Sequence, residues 1–251
     1  MNENIGLQLK LLSNDPIFVK DIPVHCIPLK KIIQIGFENY LMMINILCIT
    51  QNKVDSIVNN EELNIPTLHL STFEFILGVF HNDTIKNYLI EILSLVCDVS
   101  KEDIEVDMDN KKINIGKKSL TEDIFEEFQN VVRYRNGLNE NEELNENPAD
   151  ERTRQLLEKR KKFREKLNEV KKNDSSDIDL SDLISVYANN SNLPLNQILE
   201  YDLYQFNNQF IRMRMYEDYM MGVKSLLAGA KSEDVNLKTY LRKINTNDDD
   251  N

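Results

Sequence analysis

The chain has few of the residues that form tight turns. Seven Gly and six Pro are spread over 251 residues, and Trp is absent. This shortage favours long helices over a fold with many turns. The longest uncharged stretch, Asn39 to Asn52, is too short to span a bilayer, and no basic-then-apolar leader opens the chain. We therefore expect neither membrane insertion nor secretion.

Cysteine and histidine are equally sparse. The three cysteines, Cys26, Cys48 and Cys97, lie in apolar runs and are odd in number, which favours buried thiols in a reducing compartment. Of the three histidines only His25 has a neighbouring thiol, and adjacent residues of an extended segment point to opposite faces. Because neither C-x-x-C nor H-x-x-x-H occurs, the sequence predicts no metal site.

Motifs of catalysis and nucleotide binding are also missing. Asp107, Asp109 and Lys111 are spaced like the start of a calcium loop, but Lys112 stands where that loop requires Gly. None of G-x-x-x-x-G-K, G-x-G-x-x-G and G-x-S-x-G occurs. Because no nucleophile, base, metal cluster or phosphate loop converges in the sequence, we predict a protein that is not an enzyme and needs no cofactor.

Charged and apolar residues are present in ordinary globular proportions. Hydrophobic residues make up 41% of the chain and charged residues 29%, which predicts that most of it folds. The length allows one large domain or two small ones, and we favour two. The formal net charge of −12 repels nucleic acid and anionic membranes, so the expected partners are proteins.

Residues 1–137 are predicted to form an α+β N-terminal domain. Apolar residues between Ile17 and Ile27 are interrupted by proline and allow at most an edge strand. A core-facing helix follows, with apolar residues at steps of three and four: Leu29, Ile33, Phe37, Tyr40, Ile44 and Leu47. Alternation between Ile104 and Ile115 predicts a β-hairpin.

Capping signals mark three helix starts in this domain. Ser71 and Ser119 each stand three residues before a glutamate, which is the spacing of a capping box, and Asn82 can cap the helix between them. Gly137 is positioned to end the last of these helices.

The middle of the chain changes composition abruptly. Residues 138–150 hold five acidic residues, four Asn and one Pro, which indicates an acidic linker. Residues 151–172 hold ten Lys or Arg against four Glu, a local charge of +6, and their narrow apolar stripe predicts a basic, exposed helix.

Residues 178–244 are predicted to form a helical C-terminal domain, followed by an acidic disordered tail at 245–251. Pro194 is expected to restart the chain as a helix that continues to Met213, and Val235 to Ile244 have helical spacing. The predicted fold class is therefore mainly α with a small β-hairpin element, α+β in the N-terminal part and all-α in the C-terminal part.

Two groups of residues are candidate partner sites. In the basic helix, Arg160, Lys161 and Arg164 can meet an acidic protein surface or a phosphate backbone, or can pair with the intervening glutamates on a solvated helix.

The second candidate site is the aromatic and Met-rich stretch of residues 201–221. It suits either core packing or an adaptable binding surface. We assign Phe206 and Phe210 to the core, leave the methionines open between core and binding, and take Met215, Tyr219 and Met220 as the hypothetical partner-binding residues.

Three stretches resemble small proteins from tailed phages and prophages of low-GC Gram-positive bacteria. They are PLKKIIQIGFENYLMMINIL near the start, NPADERTRQLLEKRKKFREKL in the middle, and DLISVYANNSNLPLNQILEYDLYQFNNQFIRM followed by SLLAGAK near the end. The resemblance is to tail-assembly chaperones. It implies a non-enzymatic protein of the host cytoplasm that keeps the tape-measure protein soluble while tail-tube subunits assemble around it.

Two alternatives remain open at this point. A structural virion protein of the phage tail or baseplate has the same kind of sequence. A regulatory adaptor would instead use the basic helix to bind nucleic acid.

Overall fold

The computed structural model describes residues 3–58, 70–138, 179–235, 237–242 and 244. These residues form two compact units. The first unit contains residues 3–58, 70–137, 199–211 and 244, and the second contains residues 138, 179–198, 212–235 and 237–242. The predicted linker beyond Leu138, the basic helix at 151–172 and the acidic tail at 245–251 lie outside the described residues.

Helices dominate both units. The first unit contains, in chain order, α1 (Glu3–Leu11), β1 (Ile17–Val19), β2 (Ile22–Val24), α2 (Leu29–Ile35), α3 (Phe37–Leu47), α4 (Gln51–Val58), α5 (Thr72–Val79), α6 (Asp83–Cys97), a 3₁₀ helix (Lys101–Asp103), β3 (Ile104–Asp107), β4 (Lys112–Ile115), β5 (Lys118–Thr121) and α7 (Glu122–Arg135). The second unit contains α8 (Leu180–Ser191), α9 (Leu195–Ile198) and the greater part of α10 (Leu203–Leu227), which begins in the first unit. The predicted mainly helical fold with a small β element is confirmed.

The first unit contains two small antiparallel sheets. Strands β1 and β2 form a hairpin that pairs Ile17 with Val24. Strands β3 and β4 form the predicted hairpin, which pairs Ile104 with Ile115. The expectation of at most an edge strand near Ile17 missed the first hairpin. Its turn relies on Lys20, which adopts a left-handed conformation (φ 51°) without the Gly or Asn that usually signals one.

A third strand, β5, extends the second sheet and replaces a predicted helix cap. Ser119 lies within β5, where its hydroxyl donates to Asn114 Oδ1 at 2.9 Å. Helix α7 begins three residues later, at Glu122, with Thr121 as its N-cap. The predicted Ser119 cap is therefore wrong, because the sheet uses this residue as a cross-strand partner of Asn114.

The other capping signals are confirmed. Ser71 Oγ accepts from the Glu74 amide at 3.1 Å, and the Ser71 amide donates to the Glu74 carboxylate at 3.3 Å, which completes a capping box. Asn82 caps α6 by accepting from two backbone amides. Helix α7 ends just before Gly137, which has φ 67°.

The predicted helix from Leu29 to Leu47 is two helices, because Gly36 (φ 91°, ψ 127°) breaks it. The break rotates the apolar stripe of α2 relative to that of α3. Leu29, Tyr40, Ile44 and Leu47 are buried as expected. Ile33 is 52% exposed and Phe37 is 37% exposed, so their assignment to the core is wrong.

Helices α3, α6 and α7 and the hairpin β1–β2 surround the core of the first unit. Its centre is aromatic, since Phe73 on α5 packs against Phe125 on α7 with ring centroids 5.0 Å apart. Phe128 and Tyr40 are also fully buried. Such burial stabilises the unit by roughly 1.5–3 kcal/mol for each large apolar side chain.

Residues 199–211 belong to the first unit, although the sequence assigned the whole of 178–244 to a C-terminal domain. The helix expected from Pro194 to Met213 is interrupted, since α9 ends at Ile198 and α10 begins at Leu203. Leu203 and Phe206 are buried in the first unit, and Asp202 forms an ion pair there.

In the second unit, α8 is capped by Asp179, whose carboxylate accepts from the amides of Ser181 and Asp182. The helix ends at Ser191, before Asn192 in a left-handed conformation. The described residues of 237–242 are not helical. The helix indicated there by spacing does not form, because the same apolar side chains pack against α10 in an irregular conformation.

Candidate partner-binding surface

An aromatic cluster anchors residues 237–242 to the C-terminal half of α10. The Tyr240 ring contacts Tyr216 edge-on at 5.4 Å and Tyr219 at a tilt, also at 5.4 Å. The Arg212 guanidinium donates to the carbonyl of Tyr240 at 3.2 Å and to the carbonyl of Arg242. Ring packing and the guanidinium together hold an otherwise irregular segment against one face of the helix.

Gly222 lets this segment approach the helix closely. A Cβ atom at Gly222 would lie 2.9 Å from Leu237 Cδ1 and 3.3 Å from Val235 Cγ1. Contacts this short require a neighbouring side chain to move, so the absence of a side chain at Gly222 permits the observed packing.

Beside this contact the second unit exposes large apolar side chains. Met221 is 64% exposed, Leu227 83% and Leu241 78%, and Tyr216 and Leu237 also remain exposed. We call Tyr216, Met221, Leu227, Leu237 and Leu241 the apolar surface. At about 100° per residue, Tyr216 and Leu227 lie on one side of α10, whereas Met221 lies about 140° round the helix from Tyr216. Single exposed apolar residues are ordinary, so the feature of note is their number on one helix and the segment beside it.

The residues predicted for partner binding lie next to this surface. Met215, Tyr219 and Met220 are each partly buried, and Tyr219 is engaged by Tyr240. The most exposed members of the surface, Leu227 and Leu241, were not predicted as site residues. Leu227 ends α10 and Leu241 lies in a segment that is not helical, so helical periodicity does not identify either as exposed. Arg160, Lys161 and Arg164 lie outside the described residues.

A buried polar cluster in the first unit also escaped the sequence reasoning. Arg135 at the end of α7 donates to Asp202 Oδ2 at 3.1 Å, and both side chains are almost fully buried. The guanidinium also donates to the carbonyls of Leu11, Ser13 and Asp15. Burial raises the pKa of Asp202, while the Gln205 amide and Arg135 act in the opposite direction.

A cavity of about 10 Å³, the size of one water molecule, adjoins this cluster. Its lining includes His25, Tyr40 and Asn136 together with Arg135 and Asp202. Burial raises the pKa of the Tyr40 hydroxyl, which donates a hydrogen bond to Asn136 Oδ1. A cavity of this size can hold one water molecule.

The thiols are held in their protonated form. Burial raises the pKa of Cys48 to about 12 and that of Cys97 to about 12. Burial also raises the pKa of the half-buried Cys26, whose thiol donates to the carbonyl of Asn14 at 3.6 Å. The thiolate is the nucleophilic form of cysteine, so these environments favour packing over reactivity.

The described parts of the chain contain no group of three His, Cys, Asp or Glu residues able to hold a metal ion. His25, the histidine that adjoins a cysteine in the sequence, is fixed by its backbone amide, which donates to the carbonyl of Val96. None of the helices in these parts is long and apolar enough to cross a membrane.

Residues 171–245 match the protein family model described as YomV second domain. The match includes helices α8 and α9 and all of α10, and therefore the apolar surface as well. YomV is a Bacillus phage-type protein, so the similarity fits a phage protein. No curated protein and no solved structure matches the chain.

Proposed function

We propose that the protein is a non-enzymatic phage tail morphogenesis protein, a tail-assembly chaperone that binds the tape-measure protein or the tail-tube protein in the host cytoplasm. The observation that carries the proposal is the exposure of several large apolar side chains in the second unit, of which Met221, Leu227 and Leu241 are the most exposed. An exposed apolar surface covers the apolar segments of a client. The formal net charge of −12 keeps such a protein soluble.

The test is co-expression with the tape-measure protein. Replacing Met221, Leu227 and Leu241 with Ser should move most of the client into the insoluble fraction, because these side chains supply exposed contact area. The free energy of unfolding of the variant should change by only about 0.5 kcal/mol per site, as is usual for exposed positions. Circular dichroism and urea unfolding check that second expectation.

A control removes three exposed apolar side chains elsewhere. Leu9, Ile33 and Met42 are exposed residues of the first unit, and replacing them with Ser should leave the client soluble. Equal loss of client solubility in both triple variants would contradict a specific role for the apolar surface. A client that stays soluble without the protein would contradict the chaperone function itself.

The basic residues provide a second, electrostatic test. Reversing Arg160, Lys161 and Arg164 to Glu should weaken client capture several-fold, and raised salt should weaken capture by the unchanged protein. Capture that is unaffected by both treatments would contradict a partner-binding role for these residues.

Two further measurements separate the alternative functions. Mass spectrometry of purified virions would detect stoichiometric amounts of the protein if it is a structural component of the tail or baseplate. Salt-dependent binding to duplex DNA, lost on charge reversal of the basic residues, would instead support a regulatory adaptor.

A further inference from the structure

The segment Leu199–Ile211 is held in the first unit by contacts that are specific to its own sequence. We call it the docking segment. Its backbone completes the N-terminus of α2, where Pro28 provides no side-chain cap. The Leu29 amide donates to the carbonyl of Tyr201 at 2.8 Å, and the Lys30 amide donates to the carbonyl of Leu199 at 3.0 Å. The first amides of a helix have no partner within the helix, so the docking segment supplies theirs.

Polar side chains fix the register of the docking segment. Asp202 pairs with Arg135 inside the unit, and it also caps α10 by accepting from the Gln205 amide at 2.8 Å. Gln205 Nε2 donates to the carbonyl of Leu12 at 3.2 Å and to Asn14 Oδ1 at 2.8 Å. Buried polar groups left without these partners would each cost about 1–3 kcal/mol, so a segment with a different sequence would not fit.

Apolar burial and one exposed ion pair complete the attachment. Phe206 is fully buried and stacks on Phe210 with ring centroids 5.9 Å apart. The Lys30 ammonium lies 2.6 Å from Glu200 Oε1, and both side chains are about half exposed. The rest of the first unit therefore binds the docking segment as it would bind a separate peptide.

We propose that the docking segment is exchangeable between two copies of this chain, so that each first unit can bind Leu199–Ile211 of the other copy. Residues 139–178, forty in number, join the described stretches on either side. A chain of that length reaches at most about 140 Å, which is ample for exchange. A second copy offers the same Asp202, Gln205 and Phe206, so every contact of the closed chain is reproduced without new interactions.

Exchange is governed by concentration and charge. Within one chain, the docking segment competes with that of a second copy for the same first unit. Its effective concentration is in the millimolar range, so the closed monomer dominates in dilute solution. The net charge of −12 on each copy also opposes association and is screened by salt. Exchanged dimers are therefore expected after partial unfolding in urea and refolding at millimolar concentration in high salt.

The test uses the full chain and a carbodiimide, which joins an amine directly to a carboxylate. Equal amounts of ¹⁴N- and ¹⁵N-labelled protein are refolded together, and the dimer fraction is cross-linked and digested. Lys30 and Glu200 are close enough to be joined. In exchanged dimers about half of the Lys30–Glu200 cross-linked peptides should carry one label of each kind, because pairing is random. Dimers that yield same-label peptides alone, or no dimer at all, would overturn the proposal.

An internal control is available within the same digest. Lys111 and Glu74 form an exposed ion pair at 2.9 Å, and neither belongs to the docking segment. Their cross-linked peptides should carry a single label whether or not the docking segments exchange. Mixed labels at this pair would show exchange of a larger part of the chain and would also overturn the proposal.

Charge reversal gives an independent readout. Lys30→Glu and Glu200→Lys each place like charges together in a closed chain, whereas a mixed dimer of the two variants has opposite charges at both docking sites. When the mixtures are refolded and purified at low salt, where this exposed pair is least screened, differently tagged K30E and E200K chains should therefore co-purify several-fold more than two K30E chains. The double variant restores the pair within one chain and should show no such enrichment. Equal co-purification in all mixtures would contradict exchange.

Discussion

The two halves of α10 are similarly rich in apolar residues and have different surroundings. Leu203, Gln205 and Phe206 in the first three turns are buried in the first unit. Residues 212–227, all of them described, include no buried side chain. Apolar residues are frequent in both halves, so apolar content alone does not distinguish core from surface, although every charged residue of the helix lies in the second half. The difference in burial arises from residues far away in the sequence, since Arg135, Leu12 and Asn14 form the environment of the N-terminal half.

The largest expected effect comes from breaking the buried ion pair at the start of α10. Asp202→Ala should lower the free energy of unfolding by about 5 kcal/mol, because it leaves the Arg135 guanidinium buried without a counter-charge and removes a helix cap. Urea unfolding measures this loss. The double variant Arg135→Met with Asp202→Leu should recover part of the loss, since neither charge remains buried. Recovery should be incomplete, because three backbone carbonyls lose their guanidinium donor and α10 loses its cap. A small loss in the single variant would contradict the buried position of the pair.

The next comparison truncates one apolar side chain in each half of the helix. Phe206→Ala should cost about 3–4 kcal/mol, because it opens a cavity in the first unit. Met221→Ala should cost about 0.5 kcal/mol or less, since the side chain is exposed. Unfolding curves of the two variants, recorded under the same conditions, test the contrast. Equal losses would mean that both halves pack in the same way.

A smaller effect is expected at the contact between α10 and the segment 237–242. Gly222→Ala should change the free energy of unfolding by less than about 1 kcal/mol, because the added methyl group displaces the flexible end of the part-exposed Leu237 while alanine gains helix propensity. Faster hydrogen exchange of residues 237–242 would report the displacement. Gly78→Ala is the control, since Gly78 lies within α5 with open space around it and the change should be neutral or stabilising.

Local features of the fold were predictable because their causes lie close together in sequence. The Ser71 capping box and the Ile104–Ile115 hairpin follow from residues within a few positions of one another. The break at Gly36 escaped prediction because the apolar spacing continues across it. The third strand escaped prediction because a serine three residues before a glutamate has the same spacing in a strand as at a helix cap.

The sequence predicted which helix carries the candidate site but not which of its residues are exposed. Spacing identified residues 201–221 as an apolar stretch, but Tyr219 faces Tyr240, and the exposed positions are Met221 and Leu227. The folding of residues 237–242 against Gly222 decides which side of the helix stays open. Contacts of this kind join residues fifteen or more positions apart and leave no periodic signal.

Hydrogen exchange along α10, measured with and without the tape-measure protein, tests the account most directly. The amides of residues 206–211 should exchange as slowly as those of the core of the first unit, whether or not the client is present. The amides of residues 216–227 should exchange faster in the free protein and slow down when the client binds the apolar surface. Uniform protection along the helix in the free protein, or protection by the client confined to residues 206–211, would contradict the division of α10 into a buried half and a binding half.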